Sequence, residues 1–229
     1  MNLISDIWVI IPAYNEEQVI VQVLDDLRQY PFKVVVVDDG SSDHTTELAS
    51  HFPVTILHHA TNLGQGAALQ TGINYAVRSK EAVYIVTFDA DGQHHASDIQ
   101  IMVDVCRQGD FDVILGSRFI HGGQAQNISL VKKTTLQLAT WLSRLITGLN
   151  LTDTHNGLRV FTLSAATRIH LEQNGMAHAS EILSQISDLK LRYSETPVTI
   201  TYTDYSTRKG QSILNGINIL WDIMTGKMK

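Results

Sequence analysis

A single cysteine, Cys106, stands in a chain of 229 residues, so no internal disulfide framework is available and a reducing compartment suits the chain. Cys106 closes an apolar run over 101–106 and reads as a buried core thiol. Excess positive charge is missing too. Against 17 Lys and Arg stand 23 Asp and Glu, a net charge of −6, which argues against a nucleic-acid binder with its basic stripe. No window reaches the ~18 consecutive apolar residues of a membrane span. Residues 1–6 lack a basic stretch followed by an apolar one, so no secretory signal is visible. The ten histidines are scattered, and His58 with His59 and His94 with His95 are adjacent pairs instead of i, i+4 ligand pairs, which argues against zinc. Repeats, linkers and low-complexity segments are absent. The length suits one α/β domain, here drawn over 1–212, with a C-terminal amphipathic helix and tail over 213–229.

What is present is an alternation of short apolar runs and helical patterns. Strands are expected over 7–11, 34–37, 54–57, 83–87 and 111–115, each followed by a polar loop. Between them, Val19, Ile20, Val23, Leu24 and Leu27 mark one helical face, Ser42 or Asp43 caps a helix to about 51, and a helix covers 65–79. Ser97 with Gln100 forms a capping box for a helix over 97–108. This rhythm demands a doubly wound, mainly parallel sheet with right-handed crossovers, whose ligands bind beyond the carboxyl ends of the strands. The loops at 12–16, 38–43, 89–93 and 116–118 should therefore share one rim. Farther on come a helix over 131–148, a turn over 153–157 leading into a strand over 158–162, a helix over 179–189, and a strand marked by Val198, Ile200 and Tyr202. A polar loop over 208–212 precedes a helix over 213–224.

The uncharged strand over 83–87 ends in Asp89 and Asp91. Residues i and i+2 of a strand-like stretch project to one side, so both carboxylates converge. Their repulsion is relieved by a hard divalent cation, Mg²⁺ or Mn²⁺, which keeps open positions for a diphosphate. The alternative is a plain turn, since Asp91 and Gly92 are good turn residues.

Five strings in order resemble glycosyltransferase family two, in its dolichyl-phosphate-mannose synthase-like branch: 9–17 (Val-Ile-Ile-Pro-Ala-Tyr-Asn-Glu-Glu), 35–43 (Val-Val-Val-Asp-Asp-Gly-Ser-Ser-Asp), 62–66 (Asn-Leu-Gly-Gln-Gly), 88–94 (Phe-Asp-Ala-Asp-Gly-Gln-His) and 116–119 (Gly-Ser-Arg-Phe). The resemblance spans roughly 7–212. It implies the GT-A fold and an inverting transfer from a nucleotide-diphosphate sugar. By the same resemblance Pro12, Ala13, Tyr14, Asn15 and Glu16 frame the nucleoside, with Glu16 on a ribose hydroxyl, while Asp39, with Asp38, accepts from the base. Gly66 lets backbone approach the nucleotide, Ala90 lies beside it, and Asp89, Asp91 and Gln93 form the metal and diphosphate site. Arg118, Lys132 and Ser212 would meet the acceptor phosphate, and Arg208 resembles a loop residue that closes over the diphosphate. The alternatives are a capping-rich loop at 38–43, a simple loop into a helix at 62–66 and a solvated basic loop around Arg208.

The acceptor decides the need for a base. A hydroxyl must lose a proton, whereas a phosphate monoester is already an anion. Family members with hydroxyl acceptors usually carry an acidic Glu-Asp motif, but here Glu181 stands alone. A polyprenyl phosphate is thus the expected acceptor, for cell-surface glycan. The alternative is a sugar hydroxyl with Glu181 as base; otherwise Glu181 orients Arg118 or Arg208. A nucleotidyltransferase is disfavoured because 12–16 lacks glycine and a basic residue, and a non-catalytic sensor is disfavoured by Asp89, Asp91 and Arg118. The helix over 213–224, with Trp221, Lys227 and Lys229, and the helix over 131–148, with Lys132 and Lys133, are expected to land on a membrane surface. A small membrane protein or a homodimer contact would serve equally well. The expected location is cytoplasmic, peripheral at the inner face of the membrane.

Overall fold

The structure is a computed structural model that describes residues 6–203 and 205–206. In chain order the elements are strand β1 (Ile7–Ala13), helix α1 (Ile20–Leu27), β2 (Lys33–Asp38), α2 (Thr45–Ala49), β3 (Thr55–His58), α3 (Gln65–Ser79), β4 (Tyr84–Thr87) and α4 (Ala96–Gln108). There follow β5 (Val113–Ser117), β6 (Gln124–Gln126), α5 (Leu130–Thr147), β7 (Arg159–Thr162), α6 (Leu163–Arg168), α7 (His178–Asp188), β8 (Tyr193–Pro197) and β9 (Thr199–Thr201). The expected loop over 208–212, with Arg208 and Ser212, and the expected helix over 213–224 lie outside the described residues.

Seven strands form one sheet in the order β3-β2-β1-β4-β7-β5-β8. It is mainly parallel, as expected, but β7 runs antiparallel to both β4 and β5. That reversal has a consequence for the site. The start of β7 lies at the same rim as the ends of β4 and β5, with Arg159 in register with Thr87 and Leu115. The turn over 153–157, which precedes a strand, therefore joins the loops that follow strands.

Period-two alternation sends neighbouring strand residues to opposite layers. Val9 and Ile11 pack with Ile20, Leu24 and Ile99, whereas Trp8 and Ile10 pack with Leu69, Ile73 and Ile182. Cys106 is buried as expected. The strand expected from 83 begins at Tyr84, and Val83 is half exposed; the N–H groups of both residues donate to the Asp6 carbonyl.

The capping box at Ser97 and Gln100 does not form. Helix α4 starts at Ala96, whose N–H is taken by the Asp26 carboxylate at 2.7 Å, so tertiary contact replaces the local cap. At α2 the Asp43 carboxylate does receive the Thr45 N–H at 3.0 Å, although His44 occupies the cap position. A small second sheet pairs β6 with β9 in parallel.

Candidate active site

A cleft of about 1030 Å³ opens over the rim. Pro12, Ala13, Tyr14 and Glu16 line it from the end of β1, and Asp39 from the end of β2. Asp89, Ala90, Asp91 and Gln93 follow β4, and Arg118 follows β5. Lys132 joins them from the first turn of α5, whose start is capped by the Ser129 hydroxyl accepting from the Lys132 N–H. Most of the residues singled out in the sequence thus meet in one place.

Four do not line it. Asp38 faces the other way, as the alternation along β2 dictates; it accepts from Ser41 N–H at 3.1 Å and contacts His58. Asn15 holds a left-handed backbone (φ 52) and its side-chain oxygen accepts from Ser42 N–H at 2.9 Å, so it staples two loops. Gly66 admits protein and not nucleotide, because a Cβ there would stand 2.0 Å from the Gln173 carbonyl oxygen. Glu181 accepts from the backbone N–H groups of Glu172 at 2.9 Å and Gln173 at 3.0 Å. Its carboxylate fastens the loop before α7 and does not line the cleft.

Asp39 is buried and receives three donors: Leu63 N–H at 2.9 Å, Gly64 N–H at 2.7 Å and His59 Nδ1 at 2.7 Å. A carboxylate offers about four acceptor sites, so one is left for a base N–H. Glu16 accepts from the Tyr205 hydroxyl at 2.6 Å, which ties the chain after β9 across the β1 loop.

The two carboxylates beyond β4 differ in environment. Burial alone would push Asp89 up, but its bond to His94 at 3.1 Å and the charges of His94 and Arg159 hold it below the usual range. Its other oxygen accepts from Gln65 Nε2 at 2.9 Å. Burial first, and the charge of Asp89 second, push Asp91 up to about 6. Gln93 donates to Asp91 from both its backbone and its side-chain amide. Among the described residues no group of three or more His, Cys, Asp and Glu side chains is placed to hold a metal. Two converging carboxylates of which one resists ionisation still suit a hard cation that keeps several waters. The oxygen-only donor set fits Mg²⁺ or Mn²⁺, provided the Gln93 amide turns its oxygen inward.

Across the cleft, Arg118 is not a free fork. Asp153 takes it bidentately, with Nε to Oδ2 at 2.6 Å and Nη2 to Oδ1 at 2.8 Å, while Nη1 donates to the Tyr202 hydroxyl at 2.5 Å. Both partners of the ion pair are buried. The expected bidentate grip on a phosphate is therefore already spent on Asp153, and Arg118 contributes fixed positive charge instead. Lys132 sits with its Nζ 4.3 Å from the centre of the Tyr202 ring. Burial and then the charge of Arg118 lower its pKa, against the opposite pull of Asp91. It is the adaptable cation of the cleft.

Sequence reasoning passed over several lining residues: Gln65, His94, His155, Asn156, Arg159 and His178. For Gln65 and His94 the signal is their place in the strings over 62–66 and 88–94; for His155 and Asn156 it is the polar turn over 153–157, whose place at the rim strand direction hides.

Residues 8–172 match the model of the family described as glycosyl transferase family 2. The chain belongs to glycosyltransferase family 2. Among its relatives in the family, the UDP-N-acetylglucosamine–dolichyl-phosphate N-acetylglucosaminyltransferase of Methanococcus voltae is 30% identical over 97% of this chain and 96% of its own length. The undecaprenyl-phosphate mannosyltransferase of Micrococcus luteus is 28% identical over 96% of this chain and 97% of its own. Among solved structures, the glucosyl-3-phosphoglycerate synthase of Mycobacterium tuberculosis with Mn²⁺, uridine diphosphate and phosphoglyceric acid superposes with a TM-score of 0.67 at 17% identity, covering 93% of this chain and 76% of that one. The family-2 chain described here thus has the GT-A fold.

Proposed function

We propose that this enzyme moves a sugar, with inversion, from a nucleoside-diphosphate sugar to a polyprenyl phosphate. The observation that carries the reading is the pairing across one cleft of the Asp89–Asp91 carboxylates with the Lys132–Arg118 cations. The nucleoside lies against Pro12–Glu16 and Asp39. Asp89, Asp91 and Gln93 hold Mg²⁺ or Mn²⁺, which when bound supplies positive charge for the departing diphosphate. Lys132 and the charge of Arg118 attract the acceptor phosphate. A phosphate oxygen attacks C1 on the face opposite the diphosphate, and the C1–O bond breaks with its electrons leaving on the nucleoside diphosphate. No proton has to be removed, and Glu181, the expected base, supports that economy by lying outside the cleft lining with its carboxylate on the loop before α7.

Both named relatives act on lipid phosphates, which supports the acceptor. They differ in sugar, so kinship leaves the sugar open. Among the described residues no helix is long and apolar enough to cross a membrane. Helix α5 nevertheless exposes Leu130, Leu138, Trp141 and Leu145 along one side while its first turn lines the cleft. An apolar face beside the acceptor entrance favours peripheral attachment to a bilayer surface, on the cytoplasmic side.

The test is to incubate the full chain with polyprenyl phosphate, Mn²⁺ and a panel of UDP- and GDP-sugars, and to analyse the lipid fraction by mass spectrometry. A sugar-phosphate-lipid product supports the reading. Donor hydrolysis alone, or sugar found only on an added glycan hydroxyl, overturns it.

A further inference from the structure

Beyond Asp89 the cleft reaches a cluster of polar side chains that the transfer step above does not use. Arg159 is 2% exposed, and no described residue accepts a hydrogen bond from its guanidinium; its buried Nη1 has no partner. Asn156 is 5% exposed, and its Nδ2 likewise has no partner. His178, 3% exposed, donates from Nδ1 to the Gly175 carbonyl at 2.8 Å. That bond fixes the tautomer and leaves Nε2 a bare acceptor. Burial, and next the charge of Arg159, keep the ring neutral by lowering its pKa to about 4. All three residues line the cleft.

Buried donors without partners are rare and costly, a charged one most of all, so their persistence points to a ligand. The nearby carboxylates do not serve them. Asp89 gives its oxygens to Gln65 and His94, and Asp153 gives its own to Arg118.

Strand order says which part of the ligand arrives here. Neighbouring strands β2, β1, β4 and β7 carry in turn Asp39, the Pro12–Glu16 loop, the Asp89–Asp91 pair and the Asn156–Arg159 turn. Read along the rim, these are places for nucleoside, diphosphate and then sugar, at a strand spacing of about 4.8 Å. Gly157 lies against the Asp89 carboxylate, so the cluster directly adjoins the diphosphate position.

We propose that Asn156, Arg159 and His178 form the donor-sugar subsite and select a sugar bearing an N-acylamino group. The match is one of donors and acceptors. An acyl carbonyl oxygen has two lone pairs, for Asn156 Nδ2 and Arg159 Nη1, and its amide N–H donates to His178 Nε2. A uronic carboxylate satisfies the two donors but offers nothing to His178; a lone hydroxyl has the right count of donors and acceptors, but all three groups would have to converge on its single oxygen, whereas an acylamino group meets them with two atoms. The inference rests on the nucleotide-sugar transferase reading.

Calorimetry on the full chain with Mn²⁺, without acceptor, separates the two. The probes are UDP, UDP-N-acetylglucosamine, UDP-glucose, UDP-glucuronic acid, GDP and GDP-mannose. Wild type should bind UDP-N-acetylglucosamine at least about tenfold tighter than UDP-glucose. Asn156→Ala should weaken UDP-N-acetylglucosamine about tenfold while UDP affinity holds within about twofold; Arg159→Gln, which also removes a charge that bears on Asp89, should weaken UDP-N-acetylglucosamine at least about tenfold more than it weakens UDP. Retained UDP binding also shows that each variant has folded; if Arg159→Gln does not fold, Asn156→Ala decides alone. Equal losses for UDP and the sugar nucleotide, or no loss for either, overturn the subsite. Tighter binding of UDP-glucose, UDP-glucuronic acid or GDP-mannose by wild type overturns the N-acyl selection. Failure of wild type to bind either nucleoside diphosphate overturns the transferase reading, and the subsite with it.

Discussion

Gly157 and Asp89 touch so closely that a Cβ on residue 157 would stand 2.0 Å from Asp89 Oδ2. The turn that leads into the antiparallel strand can pass the carboxylate only because position 157 has no side chain. The contact fixes one wall of the diphosphate site and ties two strands of opposite direction together, with the Thr87 hydroxyl donating to the Gly157 carbonyl at 2.6 Å.

Gly157→Ala should therefore displace the Asp89 carboxylate and lower kcat/KM at least about 100-fold, the scale on which misplacement of about 1 Å acts. Circular dichroism and the melting transition check that the fold survives. Turnover within about threefold of wild type would show that the contact does not position Asp89.

The raised pKa of Asp91 makes a stability prediction with a definite sign. An acid whose folded pKa of about 6 exceeds its unfolded value costs stability as pH rises from about 4 to 6, and the cost stays above that. Asp91→Asn should stabilise the metal-free protein at pH 8 by on the order of 1–3 kcal/mol and leave it unchanged at pH 4, as read by urea unfolding in chelator. At the same time it should abolish turnover. A destabilised variant at pH 8 would contradict the crowding of the two carboxylates.

Asp153 holds Arg118 by three hydrogen bonds, one of them from the Arg118 backbone N–H at 3.1 Å. Asp153→Ala leaves a buried guanidinium unpaired and should cost roughly 3–5 kcal/mol in chemical denaturation. An exposed, phosphate-seeking arginine would lose far less, so a cost below about 1 kcal/mol sinks the buried-pair description.

Glu181→Gln separates a base from a fastener. The carboxamide keeps one acceptor for Glu172 or Gln173 but faces the other N–H with a donor, costing about 1–3 kcal/mol of stability. A general base is worth roughly 100- to 10,000-fold, whereas kcat of Glu181→Gln should fall by less than about tenfold.

Much of this was legible in the sequence because strands buried on both faces read as uncharged runs and each parallel strand delivers its following loop to one rim. That rule alone places the loops at 12–16, 38–43, 89–93 and 116–118 at one rim, and the family resemblance singles out Asp39 within the second. Strand direction leaves no trace in periodicity, so the strand over 158–162 is legible but its reversal, which brings the Asn156–Arg159 turn to the rim, is not. Strand β8, Tyr193–Pro197, has no clean alternation, and β6 is three mostly exposed residues. Side-chain partners were illegible for a different reason: Asp153 is 35 residues from Arg118, and Asp26 is 70 from the helix it caps. Only the folded chain shows that Arg118 is already paired and that Glu181 faces its own loop.

The most direct measurement pits polyprenyl phosphate against the matching polyprenol alcohol, with one nucleotide sugar and Mn²⁺ throughout. Glycosylated lipid should form from the phosphate and none from the alcohol, and the phosphate reaction should be lost in chelator and in Asp91→Asn. Product from the alcohol at a comparable rate would contradict it, because the cleft would then have to supply a general base, a role that this reading gives to none of its residues.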